Sequence, residues 1–268
     1  MPLDLRPRRP LLVGVVHLRA LPGAPGFDGD LDGVIAAAEH DAAALREGGA
    51  DAVIVENFGD APFFGEAVPA ETIAAMAVAT ARVAGVLDGL PLGVNVLRND
   101  ARAALGIAAA VGAAFLRVNV HCGAAVTDQG LLQGRASETV RERARLVPGA
   151  RILADVHVKH AVPLGGGDLV DAARDTFLRG RADALVLSGR ATGSAGDPRD
   201  VERVREALPD ASLLVGSGVT AENAAAMLAA ADGAIVGTAL KREGRVSEPV
   251  DVERVRRLRG AFDAVRAR

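Results

Sequence analysis

The stretch SLLVGSGVTAENAAAMLAAADGAIVGTALK, Ser212 to Lys241, decides the fold. Leu213 to Val215 is a short apolar run that stops at Gly216-Ser217-Gly218. A helical pattern then starts at about Thr220 and continues to about Ala230, and Ala234 to Val236 is a second run that stops at Gly237-Thr238. The order predicted is strand, glycine turn, helix, strand, glycine turn. Two such turns side by side in a parallel sheet offer backbone N–H groups that no side chain covers, and a helix N-terminus adds partial positive charge. That is an anion site, read here as a phosphate site on Gly216, Ser217, Gly218, Gly237 and Thr238. In a TIM barrel the loops after the last two strands form such a site. Glycines after parallel strands also serve simply to turn the chain, so the reading depends on how many strands lie upstream.

Working outward, eight short apolar runs end in polar or glycine residues: Leu11 to Leu18, Asp51 to Phe58, Pro91 to Leu97, Phe115 to His121, Ile152 to Lys159, Ala184 to Ser188, Leu213 to Gly216 and Ala234 to Gly237. Ala-rich helical segments separate them, from Leu31 to Arg46 at the start to Ala221 to Ala230 at the end, and a last helix covers about Asp251 to Val265. Eight strands alternating with helices predict one α/β domain, a single (β/α)8 TIM barrel over residues 1–268, with 1–10 as an N-terminal extension, 11–241 carrying the strands and 251–266 the closing helix. A doubly wound open sheet predicts the same alternation; the count of eight and the paired glycine turns favour the barrel. Asp100, Asp200 and Thr220 are expected helix caps, and Gly48-Gly49, Gly112 and Gly180 expected left-handed stops.

The 268 residues exceed the roughly 250 typical of one barrel without implying a second domain. A net charge of -3, from 31 basic and 34 acidic residues mixed along the chain, argues against a nucleic-acid surface. The 3% aromatics, with neither Trp nor Tyr, argue against base-stacking platforms for single strands as well. The one cysteine, Cys122, forms no internal disulfide and suits a reducing cytoplasm. No stretch approaches the roughly 20 apolar residues of a membrane span. A cytoplasmic protein without an integral membrane segment is expected.

Period-2 polarity tells which side chains point into a barrel. In Ala154-Asp155-Val156-His157-Val158-Lys159 the polar residues share one face, and on the fourth strand Arg117, Asn119 and His121 do the same. Asn95 on the third strand, Glu56 on the second, His17 on the first and Ser188 on the sixth join them. Burying so many polar groups costs about 1 to 3 kcal/mol for each one left unsatisfied. A polar lumen at the strand C-termini is where TIM-barrel active sites lie.

GVVHLRALPGAPGF (Gly14 to Phe27), VENFGDAPF (Val55 to Phe63), GVNVLRND (Gly93 to Asp100), FLRVNVHCGA (Phe115 to Ala124), ADVHVKHA (Ala154 to Ala161), SGRATG (Ser188 to Gly193), GSGVTAEN (Gly216 to Asn223) and GAIVGTALKREG (Gly233 to Gly244) occur in this order. Together they resemble the BtpA/SgcQ family across nearly the whole chain. The resemblance implies a barrel of the ribulose-phosphate-binding type. It also implies a link either to photosystem I biogenesis, from which the family takes its name, or to sugar metabolism. It supplies no agreed reaction.

The side chains themselves point to acid/base chemistry on a phosphorylated sugar or related small metabolite, of isomerase or lyase type. Asp155 and His157 are candidate base and acid, with Glu56 and Asn119 beside them. Lys159 is expected to stabilise an enolate or, if neutral, to form a Schiff base. His17, Asn95, Arg117, His121 and Ser188 are expected substrate contacts. A divalent metal on His17, Glu56, Asp155 and His157 is a further option, although no local ligand signature supports it, and no other cofactor is called for. Two alternatives stand beside the enzyme: a non-catalytic assembly or stability factor, and a nucleotide or nucleoside hydrolase. Against the latter, Gly165-Gly166-Gly167 lacks a P-loop lysine. Leu21 to Gly26, Asn57 to Pro69 and Thr192 to Gly196 are candidate lids. Phe58, Phe63 and Phe64 would pack a loop, cover substrate or make the subunit contact of a homo-oligomer.

Overall fold

The computed structural model describes residues 2–189 and 196–265. Eight parallel strands close into a barrel: Leu11–His17, Ala52–Glu56, Leu92–Asn95, Phe115–Val118, Arg151–Val156, Ala184–Leu187, Ser212–Val215 and Gly233–Val236. Closure is made where the eighth strand pairs with the first, Leu11 opposite Gly233 and Val13 opposite Ile235. The helices that cover the outside run Leu31–Glu47, Ala70–Val86, Ala101–Val111, Ala136–Leu146, Leu169–Arg174, Pro198–Ala207, Ala224–Met227 and Val252–Asp263. The expected (β/α)8 order is therefore the observed one. Most of the expected lid from Thr192 lies outside the described residues.

Two apolar cores sit on either side of the strands. Inside the barrel, Leu11, Val13, Val15, Ile54, Phe115, Leu153, Val186, Leu214 and Ile235 fill the lower layers, and Leu3 of the N-terminal extension packs with them. Outside, the alternate residues of each strand meet the apolar faces of the helices. Alternation of side chains across the pleat produces both cores from the same strands. Gly93 leaves the room that the Phe115 ring occupies; a Cβ there would lie 2.1 Å from it.

Every strand ends before its apolar run does. On the fifth, His157 has φ 52°, outside the extended region, so the alternation that would have carried it inward beside Asp155 stops at Val156. The loops after the fourth and fifth strands hold a three-stranded antiparallel sheet, Gly130–Gln133, Ala124–Thr127 and Ala161–Pro163, that the sequence reading did not anticipate. Ala125 and Leu132 on its inner face pack against Val120 and Val158. Its outer face carries Leu131, Val126 and Val162 as cross-strand neighbours, 47%, 49% and 68% exposed.

The helix expected from Thr220 to Ala230 shrinks to Ala224–Met227. Asn223 explains it: its Oδ1 accepts from Thr220 N at 2.8 Å and its Nδ2 donates to Gly218 O at 2.8 Å, closing a side-chain loop that competes with helical bonding. Asp100 caps the third helix as expected, accepting from Ala103 N. The sixth is capped by Asp197, with Pro198 behind it, rather than by Asp200. Gly49 and Gly112 adopt left-handed φ of 92° and 70°, whereas Gly180, at φ -74°, does not.

A Cβ on Gly233 would stand 2.3 Å from Leu11 O and 2.7 Å from Leu11 N, both backbone atoms of the closing seam. Gly233→Ala should therefore lower the unfolding free energy by about 1–3 kcal/mol or more, as overpacking does. Gly260→Ala, on the exposed side of the last helix with nothing within 4 Å, should stabilise by about 0.5–1 kcal/mol. Chemical denaturation of both variants checks the pair; equal effects would mean that the seam is not as tight as described.

Candidate functional site

Strand register brings the polar residues to one level: His17 lies opposite Glu56 and Glu56 opposite Asn95. Arg117 sits at the centre, 3% exposed. Its Nε donates to Asp155 Oδ1 at 3.0 Å and its Nη2 to Asp155 Oδ2 at 3.1 Å, a bidentate pair, while Nη1 donates to Glu56 Oε1 at 3.2 Å. Asn95 Nδ2 donates to the same Glu56 oxygen at 3.0 Å, and Asn119 Nδ2 to Asp155 Oδ2 at 2.7 Å. Burial raises the cost of ionising Glu56, yet Arg117, His17, Lys159 and Asn95 outweigh it and hold the carboxyl below its usual range. Burial likewise weighs against the Arg117 cation, and Asp155 and Glu56 more than compensate.

Above this platform a cavity of about 290 Å³ is lined by His17, Glu56, Arg117 and Lys159 at one end and by Gly216, Ser217, Gly218, Gly237 and Thr238 at the other. The five residues read as a phosphate site thus share one space with four of the polar lumen residues. Arg254 and Arg257 of the closing helix line it too. Arg254 Nε is tied to Ala239 O at 2.9 Å and Arg257 Nη2 to Glu222 Oε1 at 2.6 Å. The helix after Gly218 is too short to contribute much dipole, and the guanidinium groups of Arg254 and Arg257 line the cavity beside it. Ser217 Oγ accepts from Gly189 N at 3.2 Å, and a Cβ on Gly216 would collide with Ser188 Oγ at 2.2 Å. Gly216 therefore makes room for the serine of the neighbouring strand.

Burial pushes His17 down to about 4, opposed by Glu56 and aided by Lys241 and Lys159. Its ring lies 4.6 Å from that of Phe58, and a Cβ on Gly237 would stand 2.5 Å from its Cε1. Burial also lowers Lys159, with Arg117 adding to the shift and Glu56 and Asp155 resisting it. Among the described residues, buried His17 Nδ1, Asn119 Oδ1 and Ser188 Oγ find no hydrogen-bond partner.

Two expected lumen residues lie elsewhere. His121 is fully buried with Nε2 at 2.9 Å from Gly180 O, because the fourth strand ends at Val118 and the chain bends before reaching it. His157 lines a separate cavity of about 280 Å³, together with Asn119 and Asp155. Among the described residues, no three His, Cys, Asp or Glu side chains group to hold a metal ion, and the set His17, Glu56, Asp155 and His157 does not assemble. Glu56 and Asp155 are turned onto Arg117, and His157 faces away.

Three features escaped the sequence reading. Lys241 and Asp41 form a buried ion pair, and Asp41 Oδ1 also accepts from Val250 N at 2.7 Å. The signal was present: Asp41 interrupts the apolar stripe of Ala38, Ala42 and Leu45 in the first helix. Arg98, 5% exposed, donates from Nη2 to Lys159 O at 2.5 Å and so fixes the backbone beneath that lysine. Nothing in the sequence separates Arg254 and Arg257 from the other arginines of the last helix.

Arg117→Met should destabilise the fold by about 3–5 kcal/mol, since it leaves two buried carboxylates without their cation. Loss below 1 kcal/mol in urea titration would contradict that role. For His17 the unfolded value near 6.5 lies above the folded value of about 4. Between them the unfolded chain binds a proton that the folded chain does not, so stability should fall as the pH drops from about 6.5 to 4. His17→Gln should flatten this limb relative to the native chain; an unchanged slope would refute it.

A family model described as the BtpA family matches residues 8–263. The chain is 49% identical over 251 residues to the protein TK2179 of Thermococcus kodakarensis, covering 94% of each. It is 46% identical over 244 residues to the photosystem I biogenesis protein BtpA of Synechocystis, 91% of this chain and 85% of that one. Among solved structures it resembles phosphoribosyl anthranilate isomerase from Thermus thermophilus, at a TM-score of 0.59 and 14% identity over 96% of this chain and 100% of that one. It also resembles thiamine phosphate pyrophosphorylase from Pyrococcus furiosus, at a TM-score of 0.57 and 15% identity over 98% and 99%. At such identities these structures bear on the fold alone, a TIM barrel. No helix among the described residues is long and apolar enough to cross a membrane. With a family match that spans the barrel from end to end, and relatives of nearly equal length, the chain belongs to the BtpA family.

Proposed function

We propose that this chain is an enzyme acting by proton transfer on a phosphorylated small metabolite, an isomerase or lyase in type. One observation carries the proposal: a single cavity joins the glycine turns after the seventh and eighth strands to Lys159, His17 and Glu56. Gly216 N already donates to Leu187 O at 2.8 Å, so it is not the anion donor expected from the sequence; an anion at the Ser217-Gly218 and Gly237-Thr238 turns, near Arg254 and Arg257, leaves the rest of the molecule over the Arg117 platform. There Lys159, biased by burial toward the neutral form, is suited to take up and release a proton, while His17, pushed down to about 4 by burial, stays neutral and offers a hydrogen bond. Glu56 stays ionised and supplies the negative charge that stabilises Lys159 when it is protonated. Asp155, chelated by Arg117 and Asn119, orients rather than transfers.

A second reading is a non-catalytic assembly or stability factor, in keeping with the name of the Synechocystis relative. The apolar stripe of Leu131, Val126 and Val162 on the rim sheet favours it, because such a surface suits contact with another protein.

Thermal denaturation against a panel of sugar phosphates, the matching unphosphorylated sugars and inorganic phosphate tests the enzyme reading. A rise in melting temperature with the phosphorylated compounds alone is expected, and Ser217→Asp should abolish it by placing a negative charge where the anion lies. A shift of equal size in that variant would remove the phosphate site. Lys159→Met should retain the shift and lose turnover of the compound that gives it by at least about 100-fold, the range expected for a proton-transfer group.

A further inference from the structure

The polar residues of the lumen divide between two cavities, and the second one is built for different chemistry. It lies under the rim sheet, about 280 Å³ in volume, with Val120, Val156, Val158, Pro163 and Leu164 among its walls. No lysine or arginine lines it among the described residues, whereas Asp155, Asp168, Asp171 and Asp175 do, each paired with an arginine outside that lining: Arg117, Arg203, Arg174 and Arg179. The first cavity is the reverse, with Arg117, Lys159, Arg254 and Arg257 against Glu56 and Glu222.

Asn119 fixes the polarity further. Its residue is 3% exposed, and its Nδ2 donates to Asp155 Oδ2 at 2.7 Å, which assigns the amide orientation because a carboxylate oxygen accepts. The remaining Oδ1 is buried and has no partner among the described residues. A buried acceptor left unpaired costs about 1–3 kcal/mol, a cost that a donor in the cavity would remove. His157, half-buried in the same lining, has its protonation disfavoured by burial and supported by Asp168 and Asp200, so it adds no firm positive charge.

We propose that this second cavity binds an amine or amino-heterocycle: an apolar body held by the valines, with N–H groups donating to Asn119 Oδ1 and positive charge facing the aspartates. It is a site for a second substrate or for the far, nitrogen-bearing part of one, and it excludes phosphate. The site stands on its own residues and does not require the anion site of the first cavity.

Benzylamine, benzyl alcohol and benzoate, alike in size and unlike in charge, are suitable probes on the full chain, followed by backbone amide NMR. Benzylamine is expected to shift the Gly123, Val158, Gly166 and Gly167 amides with an affinity at least tenfold above that of benzoate. Asn119→Leu should weaken it about fivefold or more. Asp171→Asn with Asp175→Asn, both exposed, should weaken benzylamine but leave benzyl alcohol unchanged. Equal binding of benzylamine and benzoate, shifts outside this lining, or an unaltered affinity in the double aspartate variant would overturn the proposal. Inorganic phosphate titrated into the same samples reports on the first cavity separately; its failure alone would count against the proposed function and leave this site standing.

Discussion

The bidentate contact between Arg117 and Asp155, extended by Arg117 to Glu56, is the constraint around which the upper barrel is arranged. Three charges are nearly removed from water at this point, and such a group is tolerable only if every donor finds an acceptor in good geometry. Asn95 and Asn119 supply the outer hydrogen bonds. Below the cluster the interior is filled by apolar side chains such as Phe115, Leu153 and Leu214. The arginine therefore marks the level at which the barrel changes from packed core to chemically usable surface, a level set by the register of the fourth strand against the fifth.

The same cluster acts as a wall. Arg117 lines the cavity toward the glycine turns, and Asp155 and Asn119 line the one beneath the rim sheet. The two faces of this ion pair contribute Arg117 to one lining and Asp155 to the other. Lys159 reaches the first cavity and His157 the second because the left-handed turn at His157 breaks the pleat that would have aligned them. Burial then determines the proton behaviour: Lys159 and His17 are driven toward neutrality, while Glu56 beside Arg117 stays charged.

The glycine turns were legible because glycine has few other reasons to interrupt apolar runs twice in succession, and the count of eight runs gave the barrel. Arg117, Asn119 and Asp155 were legible because alternating polarity on a strand has a geometric meaning wherever the strand persists. His121 and His157 were misplaced for the same reason: the alternation continues in the sequence beyond the point where pairing stops. The rim sheet was missed because its strands, such as Ala124–Thr127 and Ala161–Pro163, are too short to carry a periodic signal. The helix after Gly218 was overestimated because Ala-rich propensity lost to the side-chain bonds of Asn223.

The order of strands and helices, the barrel they imply, the glycine turns after the last two strands and the polar character of the upper lumen follow from the chain read alone. These depend on local periodicity and backbone permissiveness, which are properties of neighbouring residues. What only the tertiary structure decided is which polar groups meet: the Arg117 pairings, the burial of Lys241 with Asp41, the arrival of Arg254 and Arg257 beside the glycine turns, and the division of the lumen into two cavities of opposite lining. Those outcomes depend on the register between strands and on loops that bring distant residues together. A charge's partner in space, and not its neighbour in the chain, sets its energy in a medium from which water has been excluded.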